Sequence, residues 1–250
     1  MSDPLRSLAR RLRRGLARRG ASAASYEDVE RAERIFYLEY LRDGMIVFDV
    51  GAHVGELTLL FSRFVVSGHV HAFEATRDTF NRLSTITRAA GRRNVTLNHT
   101  ALAESEESLT LNIYEEGYSA WNSRAARPLA DYGIDVKSIA TEEVEATTVD
   151  IYCERGGITK IDLLKIDVEG AEHQVLLGAR RMLESKAVGC VAFEFGQTTF
   201  DMGNRPEEIE AYLTGLGYVI RNVVKGNQVF PGRARAATAQ FSMHVATLGR

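Results

Sequence analysis

With 250 residues, 45% of them apolar, the chain can bury one sizeable core and needs no second domain. No apolar run reaches the eighteen or so residues of a membrane span, and the start lacks the apolar stretch of a secretory signal, so a cytoplasmic protein is expected. Cys153 and Cys190 have no metal-ligand spacing and read as plain thiols of a reducing compartment.

The net charge of −2 hides an asymmetry. Arg6, Arg10, Arg11, Arg13, Arg14, Arg18 and Arg19 face only Asp3 in the first twenty residues, and Leu5, Leu8, Leu12 and Leu16 recur at helical spacing among them. This predicts a basic amphipathic helix able to lie on an anionic membrane surface, within an N-terminal extension of residues 1–27. The protein would then sit peripherally at the inner face of the membrane. The rest of the chain is acidic and has no basic stripe interleaved with aromatics, which argues against a nucleic-acid partner.

Residues 21–27 are small and polar and read as a hinge; a helix through Val29, Ala32, Ile35, Phe36 and Leu41 follows, closing at Asp43-Gly44. Ile46 to Val50 is an apolar run interrupted only by Asp49, as a buried parallel strand should be, and Glu56 to Ser67 has helical spacing. The loop between them, Gly51-Ala52-His53-Val54-Gly55, lets backbone N–H groups at a helix start face a ligand. A second strand, residues 69–73, ends at Glu74, where a doubly wound fold puts the acid that holds ribose hydroxyls. The loop lacks dinucleotide spacing and carries an acid two residues before its first glycine, which favours S-adenosylmethionine (SAM) over NAD. Asp49, Gly51, Ala52, His53, Gly55 and Glu74 are therefore the expected cofactor residues, His53 through its backbone.

A helix over about 77–90 is followed by a strand over 95–102, whose end, at Ala101, is expected beside the adenine. Leu109 to Tyr114 alternates as a strand. Residues 115–145 lack strong periodicity but contain Tyr118, Trp121, Asn122 and Ser123, and read as a substrate lid in which Trp121 is a candidate stacking platform for a sugar. Strand–helix alternation resumes with a strand over 161–167, a helix over 171–184, a strand over 188–195 and a helix after Pro206. Residues 218–225 and 241–248 form a final antiparallel pair. The expected fold is α/β, a Rossmann-like doubly wound sheet of seven strands with an antiparallel last strand, over residues 28–250.

The run Lys165-Ile166-Asp167-Val168-Glu169-Gly170-Ala171-Glu172, taken with residues 49–55 and Ala72-Phe73-Glu74, resembles the FkbM family of SAM-dependent methyltransferases. Thr148-Val149-Asp150 and Gly178-Ala179 are further landmarks, and the match covers roughly residues 44–196. Ala75 stands where many members have proline. The resemblance implies a class I methyltransferase that O-methylates a hydroxyl of a sugar, glycolipid or polyketide-type natural product. Asp167, at a strand end, is then expected at the catalytic centre and against the cofactor, with Glu169 positioning or deprotonating the acceptor. Glu194 and His173 are candidate substrate residues, and Glu172 reads as a helix-start acid.

Two carboxylates, Asp167 and Glu194, could hold Mg²⁺ with a substrate diol, but no dense ligand cluster is legible and no metal is assigned. Two other functions compete. A nicotinamide-dependent oxidoreductase is disfavoured by the loop spacing and by the lack of a Tyr-x-x-x-Lys pair. A non-catalytic SAM-binding or membrane-docking component of glycan assembly is disfavoured by the intact Asp49, Glu74 and Asp167.

Overall fold

The structure is a computed structural model that describes residues 24–132 and 135–249; the predicted basic helix of residues 1–20 lies outside them. The first helix, α1, spans Tyr26–Tyr40 and begins inside the expected hinge. A capping box starts it there: the Asp28 N–H donates to Ser25 Oγ at 3.2 Å while the Ser25 N–H donates back to the Asp28 carboxylate at 3.3 Å. Val29, Ala32, Ile35 and Leu38 are its buried face, and Tyr37 meets Phe61 edge-on at 4.8 Å.

The main sheet is built from β1 (Ile46–Val50), β2 (His69–Phe73), β3 (Val95–Asn98), β7 (Leu163–Ile166), β8 (Cys190–Phe195), β9 (Tyr218–Asn222) and β10 (Ser242–Leu248). Its order is β3-β2-β1-β7-β8-β10-β9. β10 runs antiparallel to both its neighbours, so the last strand of the chain is the reversed one, as expected. From β1 the chain fills one side of the sheet and then crosses back to β7 on the other. That reversal between β1 and β7 is where open α/β sheets bind ligands, beyond the carboxyl ends of the strands. The helices are α2 (Glu56–Phe64), α3 (Arg77–Ala89), α4 (Val149–Gly156), α5 (Glu172–Gly178), α6 (Arg180–Glu184), α7 (Gln197–Asp201) and α8 (Pro206–Gly215).

Three expectations need correction. The strand expected over 95–102 breaks at His99-Thr100, and its end, β4 (Ala101–Leu102), joins a separate three-stranded sheet with β5 (Glu107–Ile113) and β6 (Ala140–Thr147). The end of the expected lid, residues 140–145, is therefore strand, paired from Ile113↔Ala140 to Glu107↔Ala146. The helix expected over 171–184 is two, α5 and α6. Gly178 sits so tightly against the Ala103 carbonyl that a Cβ would come within 2.0 Å of its oxygen, and the chain turns at Ala179.

Candidate functional site

A cavity of about 610 Å³ opens at the carboxyl edge of β1, β2, β7 and β8, within the range of small-molecule sites. Its floor is the loop after β1. Gly51 has φ +73, and a Cβ there would lie 1.8 Å from the Asp167 carbonyl oxygen, so only glycine lets the β1 and β7 loops pass this closely. The N–H groups of Gly51 and Ala52 both donate to Phe73 O, at 3.0 and 2.9 Å, tying the loop to the end of β2. Gly51, Ala52, His53, Gly55, Glu74, Ala101 and Asp167 all line the cavity.

Glu74 is 9% exposed and burial raises its carboxyl above the usual range, although its own hydrogen bonds oppose this. Oε1 accepts from the Thr76 N–H and hydroxyl, at 3.0 and 2.8 Å, and Oε2 accepts from the His53 N–H at 3.0 Å. Of roughly four lone-pair sites on a carboxylate, one remains, on Oε2. Glu74 can thus take one ligand hydroxyl without breaking a bond. The His53 contribution is through its backbone; its ring reaches Ser119 Oγ at 3.1 Å and so touches the segment after β5.

Asp49 departs from expectation. It is fully buried and does not line the cavity. Its Oδ2 accepts from the Thr58 hydroxyl at 2.6 Å, and its Oδ1 lies 3.2 Å from Lys165 Nζ, its register partner on β7. Lys165 is the charge hub beneath the loop: Nζ also donates to Gly51 O at 2.9 Å and lies 3.4 Å from Asp167 Oδ2. Burial alone would lower its pKa, but Asp49, Asp167 and Glu33 hold it above the ordinary lysine value. Asp49 therefore supports the loop through Lys165 rather than meeting a ligand.

Above this pair, Asp167, Glu169 and Glu194 each bring a carboxylate oxygen within 4.8 Å of the others. Glu169 has φ +54, and the next residue, Gly170, has φ +104, where a Cβ would strike the Thr198 carbonyl at 2.2 Å. The turn thereby aims Glu169 into the cavity, where Arg127 Nη1 reaches its Oε2 at 3.2 Å. Burial first, then Asp167 and Glu172, push Glu169 up to about 8 against the pull of Arg127. The same pressures, burial and the Glu169 and Asp167 charges, hold Glu194 well above the carboxylate range. Glu172, at the start of α5, is also buried; its Oε1 accepts from the Val168 and Gly170 N–H groups at 3.1 and 3.2 Å. Three clustered carboxylates of this kind could hold a hard divalent cation as readily as they could share protons.

Of the other expected substrate residues, Trp121 lines the cavity, its ring 4.9 Å from Tyr118 and under the Arg127 guanidinium at 5.5 Å. His173 does not. It lies on the face of α5 turned toward α8, its ring 6.3 Å from Tyr212. Sequence reasoning missed Lys165, Arg127 and the whole α1 wall of Tyr26, Glu30, Glu33 and Arg34. Lys165 was findable: a lone cation in a strand of otherwise apolar residues requires a buried counter-charge.

Residues 49–220 match the model of the methyltransferase FkbM domain. The chain is 30% identical over 221 residues to the 31-O-demethyl-FK506 methyltransferase FkbM of Streptomyces tacrolimicus, covering 77% of this chain and 78% of that protein. Similar solved structures include a methyltransferase FkbM from Methylobacillus flagellatus KT, 16% identical with a TM-score of 0.47, covering 95% of this chain and 59% of that one. A SAM-dependent O-methyltransferase from Thermotoga maritima is 15% identical, also with a TM-score of 0.47, over 96% of this chain and 71% of that one.

Proposed function

The chain belongs to the FkbM methyltransferase family, and from that premise we propose that it moves the methyl group of SAM to a hydroxyl oxygen of a sugar, glycolipid or related natural product. The observation that carries the O-methyl reading is Glu169, a carboxylate with a proton affinity near neutrality, beside Asp167 at the tip of β7. A hydroxyl attacks well only as its proton leaves, and a base with a pKa near the working pH is suited to take it. The Streptomyces relative's name, which specifies a 31-O-demethyl substrate, supports the same chemistry.

The residues present fit the cofactor. Gly51 lets the loops after β1 and β7 close up side by side along the cavity floor, with the Gly51 and Ala52 N–H groups spent on Phe73 O and not free for a ligand, and Glu74 retains a lone pair for a ribose hydroxyl. When bound, SAM supplies an electrophilic methyl carbon on a sulfonium. Ala101 borders the adenine end, Asp167 aligns the acceptor and Glu169 accepts its proton, while Glu194, whose carboxyl is held well above the ordinary range by burial and then by its acidic neighbours, lines the acceptor side of the cavity. Trp121 offers its face to a sugar ring.

Incubation with SAM carrying a labelled methyl group and a panel of hydroxylated acceptors tests the reading. The expected product holds the label in a base-stable ether. Label lost on mild alkaline hydrolysis would mean carboxyl esterification instead, and SAM binding without transfer to any acceptor would favour the non-catalytic role. The convergence of Asp167, Glu169 and Glu194 favours one second reading, an acceptor bound through Mg²⁺. Activity that survives a chelator supports the proton-transfer route; activity lost and restored by Mg²⁺ replaces it. Residues 1–20 would bring the enzyme to an anionic membrane, each basic residue contributing about 1 kcal/mol near the surface. Salt-sensitive co-sedimentation with anionic liposomes is expected of the full chain and not of one starting at Ala21. Among the described residues, no helix is long and apolar enough to cross a membrane.

A further inference from the structure

Tyr26, Glu30, Glu33 and Arg34 fall on one stripe of α1, at helical spacing, and all four line the cavity. The two ends of that stripe face different chemistry. Tyr26 lies tilted against Phe241 with ring centroids 4.6 Å apart, and its hydroxyl is pushed up to about 12 by burial and by Glu30, Glu194, Asp167 and Glu169, which marks the acceptor end. Seven and eight residues on, Glu33 lies within the fields of Asp167, Lys165 and Asp49, and Arg34 pairs with Glu56 at the start of α2 at 2.9 Å. That end of the helix stands over the loop after β1.

A ligand held at Glu74 on β2, with its reacting centre at Asp167 on β7, spans β1 and must extend its remaining part beneath this end of α1. In SAM that part is an amino acid, with an α-ammonium and an α-carboxylate. Asp49 cannot receive the ammonium, because Lys165 and Thr58 already hold it below the cavity floor. We propose that Glu33 and Arg34 seat the amino-acid end of the cofactor, Glu33 receiving the α-ammonium and Arg34 the α-carboxylate. The assignment rests on the SAM reading above.

Glu33 is built for a cation. Its Oε1 accepts from the Tyr37 hydroxyl at 2.7 Å, and no hydrogen bond among the described residues occupies Oε2. Burial pushes it up to about 7 against the Tyr37 bond, so an arriving ammonium meets a carboxylate short of positive partners. Arg34 gives one of its five N–H donors to Glu56 and keeps the others for a carboxylate.

The test is calorimetry with two probes. S-adenosylhomocysteine carries both charges; 5′-methylthioadenosine keeps the adenosine and sulfur and lacks the amino-acid end. The variants are Glu33→Gln, which still accepts from Tyr37, and Arg34→Gln, which removes an exposed ion pair of little structural weight. Each is expected to weaken S-adenosylhomocysteine binding about tenfold, the loss of one charge-assisted hydrogen bond, while methylthioadenosine affinity stays within about twofold. Unchanged S-adenosylhomocysteine affinity in both variants would overturn the assignment and leave the SAM reading standing. Equal loss of both probes would also overturn it, as the mark of a displaced helix. Failure of the wild type to bind S-adenosylhomocysteine would remove the SAM reading and the assignment together.

Discussion

Two sets of buried charge meet at the tip of β7, one below the loop after β1 and one above it. Below, Lys165 stands between Asp49 and Asp167 and bonds to the Gly51 carbonyl, so opposite charges offset one another and the loop is fixed. Above, Glu169, Glu172 and Glu194 crowd Asp167, Arg127 alone among the described residues making a salt bridge to one of the three, at Glu169, and their proton affinities rise. The same residue type thus serves two ends. A carboxylate matched by a buried cation gives architecture, while one left among its own kind gives a group ready to exchange a proton.

Removing the cation below should break this contrast most severely. Lys165→Met leaves Asp49 buried without its partner, and a loss of about 3–5 kcal/mol is expected, read as a large drop in melting temperature. Adding Asp49→Asn should recover part of it; no recovery would mean that the pair is not the source. In the upper set, Glu169→Gln is expected to lower kcat by about 10²–10⁴-fold with the melting temperature unchanged or raised, because a repelled carboxylate has been neutralised. A parallel fall in stability would show Glu169 to be a packing residue.

The smallest effect concerns pH. Glu33 and Glu172 at about 7, and Glu169 at about 8, all lie above their unfolded value near 4.5, so folding disfavours their ionised forms. This penalty is absent below the unfolded value and complete only above the folded ones. The melting temperature of the ligand-free protein should therefore decline as pH rises from about 5 to about 8, and then level. Turnover should move the opposite way, rising through about 8 as Glu169 becomes an available base. A melting temperature that climbs over the same interval would contradict the upper set's crowding.

The main sheet was readable because its central strands, buried on both faces, are continuous apolar runs bounded by glycine, acid and helix-start signals. The small sheet was not. In β6 only Val144 and Ala146 are buried, among glutamates that face solvent, so its alternation carries almost no apolar signal. The floor of the site was legible at Gly51, Glu74 and Asp167, where backbone constraint and strand ends coincide. His173 and the α1 wall were not, for a shared reason. A helical pattern tells which side is apolar, whereas which polar side faces a cavity depends on where the helix lands, and that is decided by partners distant in the chain.

The pairing of Ile113 with Ala140 has a consequence for how this enzyme can be altered. Because β5 and β6 form a hairpin, the segment between them leaves and returns at neighbouring points. Doubling the length of such an excursion adds only about 0.6 kcal/mol of closure entropy. Its polar ties to the β7–α5 turn run through Ser123, which donates to the Glu169 carbonyl, and Arg127. The segment is in effect a cassette: a graft from another member of the family that keeps these two residues and Ser119, whose hydroxyl meets the His53 ring, is expected to leave the strands of the main sheet in place.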